Sequence, residues 1–407
     1  MTRQVLVTMK HRFAALIGIL ACFVILTGCW SRKELNDLGI VLAIGIDKAG
    51  KQYEVSVQVV NPGEVAVKRG GTSGYSPVTL YSSKGNTIAE AIRRLTTVTP
   101  RKTYFSHIRI LVLSESLARQ GIGRTLDYLS RDHEFRSDFY IAIAREMAAK
   151  EILGYMSPLE KIPANKLFHS LEVAEKEWSP IIAVQLNELT EDLLRKGDNP
   201  VLTGIRVAGD KELGLRKENV ESIIPGAVLQ VRGLGVFKDD KLVGWLNETE
   251  SKGYSDLTDK LHRTAVEMAC PEGGKLAVDI VSSKTKLTGK VVGGEPEGRA
   301  VIRTEADVSD VECQIDLSKA DTFADLEKRT AAILKRHSEA AVAKAQKLET
   351  DIFGFGEAVR RANPAFWRKA KLDWDSRFAK LPVRIEVDVK IRRIGTITNP
   401  LIKQLKE

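Results

Sequence analysis

The chain has 407 residues, 43% of them hydrophobic and 28% charged, which excludes a disordered or fibrous protein and fits two or three domains with cores of their own. Its formal net charge is +9. Arg3, Lys10 and Arg12 supply three of those positives in a stretch without Asp or Glu, and the mild excess after Cys29 is no nucleic-acid signature.

Residues Phe13 to Leu26 are an unbroken run of apolar residues and glycine. At roughly fourteen residues it has the length of a signal-peptide core and falls short of the ~20 that cross ~30 Å of hydrocarbon. Leu26-Thr27-Gly28-Cys29 follows and resembles the lipobox of bacterial lipoproteins. That resemblance implies a signal peptide over residues 1–28, cleavage between Gly28 and Cys29, and a diacylglycerol on the Cys29 thiol. Two acyl chains matter because a single chain, at ~0.8 kcal/mol per buried methylene, anchors only marginally. The competing reading is an uncleaved anchor helix with an incidental cysteine. Either one leaves the basic N-terminus inside and the body outside the cytoplasm.

From residue 29 to 195 strands and helices alternate, predicting an N-terminal α/β domain. "LGIVLAIGID" (38–47) and "YEVSVQVV" (53–60) read as a hairpin turning at Lys48–Lys51. The Gly/Ser-rich stretch 61–77 reads as a loop. After the strand "VTLYSS", Thr87 and Glu90 form a capping-box pattern opening a helix that must end near Pro100. Strand "SHIRILVL" (106–113), a helix around Leu117–Leu129, strand "FYIAIA" (139–144) and further helices to about Arg195 complete this part.

"KGDNPVLTG" (196–204) reads as a boundary, and residues 196–263 as a small β-rich middle domain whose two strands meet at Asp239-Asp240. Residues 264–407 read as an antiparallel sheet packed by a long helix. Its last strand alternates Ile385, Val387, Val389 and Ile391 with charged residues. Thr322 and Asp325 look like the capping box of the long helix, Phe323, Leu326, Leu334, Ala341, Ala345, Leu348 and Ile352 share one stripe, and Gly354 and Gly356 end it. The expected class is therefore α+β or α/β in three parts. Cys270 and Cys313 leave two readings open, a disulfide or a pair of buried thiols.

The search for chemistry finds no metal-binding spacing among the six histidines, no Walker or dinucleotide loop and no nucleophile elbow. His337, on the apolar stripe, reads as a hydrogen-bonded core residue, and Asp132-His133-Glu134 as a solvated surface. Asp239-Asp240 fits a turn. Trp178, Trp245, Trp367 and Trp374 are spaced as core anchors rather than as a sugar platform. No catalytic residue, cofactor or metal is expected.

Three segments together resemble the Ger(x)C family of lipoprotein subunits of spore nutrient germinant receptors. They are "LTGCWSRKELNDLGIVLAIGIDK", "GLGVFKDDKLVGWLNETESKGY", and the stretch from Asp351 to Gly395 with its Phe353-Gly354-Phe355-Gly356, Trp367, Trp374 and Phe378. The Gly-rich stretch 61–77 follows no family pattern. The resemblance implies a non-enzymatic subunit on the outer face of the spore inner membrane, assembling with an A-type and a permease-like B-type membrane subunit. The reading it competes with is a lipoprotein that itself binds small nutrients, as solute-binding proteins do.

Overall fold

A computed structural model describes residues 37–65, 75–270, 273–313 and 315–393, together with Met9 and residues 12–18. Gly28, Cys29, Trp30 and the Glu34-Leu35 pair lie outside the described residues, as does the middle of the Gly-rich stretch, after a helical turn at Pro62–Val65.

The strands, in chain order, are β1 (Leu38–Ala49), β2 (Gln52–Val60), β3 (Val78–Gly85), β4 (Lys102–Tyr104), β5 (Ile110–Ser114), β6 (Tyr140–Ala144), β7 (Val184–Gln185), β8 (Val201–Gly209), β9 (Ala227–Lys238), β10 (Lys241–Leu246), β11 (Thr264–Ala269), β12 (Lys275–Val292), β13 (Glu295–Val311) and β14 (Val383–Arg393). Ten of them form one sheet whose main path runs β10-β9-β8-β6-β5-β1-β2-β3, with β4 beside β1 and β7 beside β6. The other four form a second sheet, β11-β12-β13-β14.

β1, β5, β6 and β8 are mutually parallel and hydrophobic on both faces, because helices cover both sides. Val41, Ile44, Ile46, Leu111, Leu113, Ile141 and Ile143 face the larger core, while Ala43, Ile110, Val112 and Ala142 face a second one. β1 and β2 pair as the predicted hairpin, turning at Gly50 with φ 61°. Thr87 caps the helix as expected, accepting from the Glu90 N–H at 3.1 Å, but the reciprocal half of the capping box is displaced by one residue, since Glu90 accepts from Asn86 N rather than Thr87 N.

The structure corrects four expectations. The single helix around Leu117–Leu129 is two, Glu115–Gln120 and Gly123–Arg131, because Gly121 takes φ 125° and breaks the first. β8, β9 and β10, from the segment expected to form a separate middle domain, hydrogen-bond into the first sheet through β8–β6 and β8–β9. A hydrophobic alternation says which face of a strand is buried, but not which sheet holds it. β14 pairs with β13 in parallel, so the second sheet is mixed rather than antiparallel. The long helix Ala320–Lys347 is the reason: it forms the crossover that a parallel pair requires. That helix starts two residues before Thr322, with no side-chain cap, and stops at Lys347. Gly354, at φ 79°, instead precedes the next helix, Phe355–Ala362.

The stripe on the long helix is buried at Leu326, Leu334, Ala341 and Ala345, with Thr330 and Ser338 between them, while Phe323 is only half-buried. A Cβ at Gly253 would run into the backbone of His337, so the helix Glu248–Leu257 crosses the long helix at close approach there.

Cys270 and Cys313 are joined by a disulfide, resolving the open choice between a bond and two thiols. It closes a loop of sequence separation 43 at the rim of the second sheet. By loop-closure entropy such a bond stabilises by about 4 kcal/mol. Reduction is therefore expected to lower the melting temperature under conditions that leave the fold otherwise intact, and scanning calorimetry with and without a thiol reductant measures it. An unchanged melting curve would contradict the estimate.

Candidate functional site

Two places bring polar groups together below the surface: a cavity at one end of the first sheet, and the joint between the two sheets.

The cavity, of about 880 Å³, opens where the parallel strands β1, β5 and β6 end. This is the edge at which parallel α/β sheets commonly take ligands. Its wall holds Asp47, Glu54, Glu115, Glu146 and Glu151. Each carboxylate has a partner within the protein. Asp47, buried and held above the usual carboxylate range by desolvation, accepts from Ala149 N at 2.7 Å and Lys150 N at 2.9 Å. Glu54 pairs with Lys150 at 2.8 Å, and Glu151 accepts from Ala148 N. Glu115 takes Arg119, the Trp245 indole N–H at 3.1 Å and Glu146 N, and Arg145 sits beside Glu146. The cavity has the size of a small-molecule site, but its charges are spent on holding its own walls.

The joint is built around Asp351, which is fully buried. It lies in the connection between the long helix and the helix Phe355–Ala362. One carboxylate oxygen accepts from the N–H groups of Phe353, Gly354 and Phe355 at 3.1, 3.1 and 3.2 Å. The other accepts from Gly356 N at 2.7 Å and from the Trp374 indole at 2.9 Å. Its backbone carbonyl receives Asn199 N, just ahead of β8, at 2.7 Å. Gly197 leaves room for the Trp367 ring and the backbone of Gly356, both of which a Cβ there would strike. Trp367 meets Trp374 edge-on, and Phe353, Phe355 and Phe378 pack beside them. The Phe-Gly-Phe-Gly run, both tryptophans and Phe378 thus form one aromatic plug that fastens the second sheet to the start of β8.

Beside the plug, burial and the neighbouring Asp351 and Asp192 push Asp198 up to about 7, against the opposing pull of Arg195. Asp256 lies deeper, between the helix Glu248–Leu257 and the second sheet. One of its oxygens accepts from Ser283 Oγ at 2.7 Å, the other has no partner among the described residues, and burial pushes its pKa up to about 7. Both carboxyls hold a proton in the folded chain at a pH where the unfolded chain has lost it, since an unperturbed Asp titrates near ~3.9. The folded state binds the extra proton between about pH 4 and 7, so stability falls as pH rises through that window. Urea denaturation is expected to give about 2 kcal/mol more stability at pH 5 than at pH 8 from Asp256 alone, a difference that Asp256→Asn should abolish. A pH dependence unchanged in the variant would rule this out.

The other residues singled out from the sequence do not assemble into a site. His133 is 95% exposed, as expected of a solvated surface. Asp239-Asp240 is indeed a turn, with Asp239 at φ 51° and Asp240 accepting from Gly123 N. His337 has no hydrogen bond on its buried Nδ1, contrary to expectation, and burial with Lys252 and Arg336 nearby pushes it down to about 4. Trp178 is partly exposed under Lys252, and Trp245 lies under Arg145 against Gly204. Among the described residues no group of side chains could hold a metal ion, and no helix is long and apolar enough to cross a membrane. Asp351 was missed from the sequence. Its available signal was a short acidic residue just ahead of a helix start, where side-chain oxygens cap exposed N–H groups.

Residues 31–207 match the family described as the spore germination protein N-terminal domain, and residues 232–395 match spore germination B3/GerAC-like, C-terminal. The chain is 32% identical over 399 residues to Spore germination protein KC of Bacillus subtilis (strain 168), covering 96% of this chain and 97% of that one. It belongs to the Ger(x)C family. Other relatives are Putative spore germination protein YfkR of the same organism, 25% identical over 95% of this chain and 98% of its own, and Spore germination protein GerQC of Bacillus cereus, 21% identical over 91% and 96%. The crystal structure of the GerBC protein shares the fold, with a TM-score of 0.55 at 19% identity over 86% of this chain and 96% of that one. The Ger(x)C signature segments therefore mark structural positions here: the first hairpin strand, which carries Asp47, the Trp245 strand, and the Asp351 plug.

Proposed function

We propose that this chain is the lipid-tethered subunit of a spore nutrient germinant receptor. It is held through Cys29 on the outer face of the spore inner membrane and works by docking an A-type and a permease-like B-type membrane subunit. The observation that carries the reading is the end-to-end match to spore germination proteins. It is supported by a body whose buried polar groups are engaged in holding two sheets together. In this reading the signal peptide, residues 1–28, is removed and the domain surfaces supply the contacts. Affinity purification of the tagged chain from detergent-solubilised spore membranes tests it. Two integral membrane proteins are expected to come along, and recovery of the chain alone would overturn the proposal.

The cavity at the ends of β1, β5 and β6 is what favours the second reading, direct binding of a small nutrient. With every carboxylate in its wall already partnered, titration calorimetry with amino acids and sugars is expected to show no micromolar binding. A clear isotherm would reverse the order of the two readings.

A further inference from the structure

The helices that follow the plug, Phe355–Ala362, Pro364–Ala370 and Trp374–Phe378, form a cap over one end of the molecule. Which end it covers follows from strand direction. β1, β5, β6 and β8 are parallel, so Leu38 and Val201, the first residues of β1 and β8, lie at the same end of the first sheet. The cap is seated there, with Trp367 against Gly197 and Asp351 bonded to Asn199, immediately before β8. β8 stands three strands from β1, or about 14 Å across the sheet. The segment from Cys29 to β1 enters at this same end, and its nine residues span at most ~30 Å.

The charges of the cap are unevenly spent. Its acids are all engaged internally. Glu357 pairs with Arg360 at 2.6 Å, Asp373 with Arg377 at 2.9 Å, and Asp375 turns inward toward Asn199 and Lys238. Arg368, Lys369, Lys371 and Lys380 are exposed and have no side-chain partner among the described residues. Among them in sequence stands Leu372, 89% exposed, in the turn between two helices of which Trp367, Ala370, Trp374 and Phe378 are buried and Phe366 half-buried. An exposed leucine flanked along the chain by unpaired cations is the chemistry that seats a protein on an anionic lipid surface: the cations meet headgroup phosphates and the apolar tip enters the interface.

We propose that this cap is a second membrane contact, with Arg368, Lys369, Lys371 and Lys380 on anionic headgroups and Leu372 at the acyl boundary. It would fix how the tethered body stands on the bilayer. The inference rests on the tether reading for its geometry, and the test separates the two.

In the acylated chain, with Cys270 and Cys313 paired, a Leu372→Cys variant accepts one environment-sensitive fluorophore. On vesicles of phosphatidylcholine alone the chain is expected to float with the lipid without a change in emission, so flotation there reads the tether. Mixing in phosphatidylglycerol is expected to shift the emission to the blue, reporting the cap, and high salt to reverse the shift. Arg368→Ala, Lys369→Ala and Lys371→Ala should each reduce the ratio of lipid-seated to free cap about fivefold, and together on the order of a hundredfold. All three side chains are exposed, and an unchanged circular dichroism spectrum would show that the variants fold. Equal emission on both vesicle types, or a shift that survives the triple replacement, would overturn the proposal. So would a shift that appears only when the membrane subunits are present, which would assign the cap to an acidic protein surface instead.

Discussion

Asp351→Ala is expected to lower the unfolding free energy by about 4 kcal/mol, the largest effect of any single side chain in the joint. Five N–H donors converge on that carboxylate in a fully buried site, and among the described residues none has another acceptor within reach. Removing it strands four backbone donors and the Trp374 indole. Leaving buried donors unpaired costs more than the bonds themselves contribute in a solvated comparison. Asp351→Asn should fall between the two. It keeps one acceptor oxygen, but turns an amide N–H₂ toward either the Phe353–Phe355 donors or the Gly356–Trp374 pair. Urea denaturation of the three proteins, followed by tryptophan fluorescence, measures the series. Because Trp374 is itself a ligand of the carboxylate, its emission should change in Asp351→Ala before any denaturant is added. A variant as stable as the parent would show that the joint is held by its aromatic packing alone.

The second large effect belongs to Cys29→Ala. On the reading proposed above, loss of the thiol leaves no site for the diacylglycerol, and the signal peptidase that acts on the modified cysteine has no substrate. The expected product is an unacylated chain still carrying residues 1–28, seen by mass spectrometry as a heavier protein without the lipid. A single acyl chain binds membranes with a constant of only about 10⁴ M⁻¹, so losing two removes the whole basis of stable anchoring short of the leader itself. Germination in response to nutrient is expected to fall with it. A processed, soluble and fully active Cys29→Ala protein would eliminate the tether.

Much of this architecture can be read from residue order, and the parts that cannot share a cause. The β1–β2 hairpin, the Thr87 cap and the Asp239 turn are local, each decided by residues within about ten positions. They appear where patterning puts them. The placement of β8–β10 in the first sheet and the parallel seating of β14 depend on partners far away in the chain. Alternating hydrophobicity is the same for a strand in either sheet and in either direction. The joint shows the same divide. Trp367, Trp374 and the Phe-Gly-Phe-Gly run stood out as a motif, but their common purpose became visible only with Asp351 and Gly197 beside them, one of them more than a hundred residues away. His337 failed for a related reason. Its position on the helix stripe was evident, but the helix that packs Gly253 against its backbone comes from another part of the chain, and its buried Nδ1 finds no partner there.

The two family segments leave a gap between residues 207 and 232, which holds the connection from β8 to β9, neighbours joined by a ladder from Val201–Val236 to Gly209–Ala227 with one register shift between Thr203 and Ile205. The N-terminal segment made alone would therefore finish on a naked strand edge, a template for pairing with a second copy of itself. During synthesis the same edge stays open until β9, which ends at Lys238, has emerged to close it. The first half of the molecule is thus dependent on the second for its completion, and the two are expected to resist being swapped between relatives as independent cassettes.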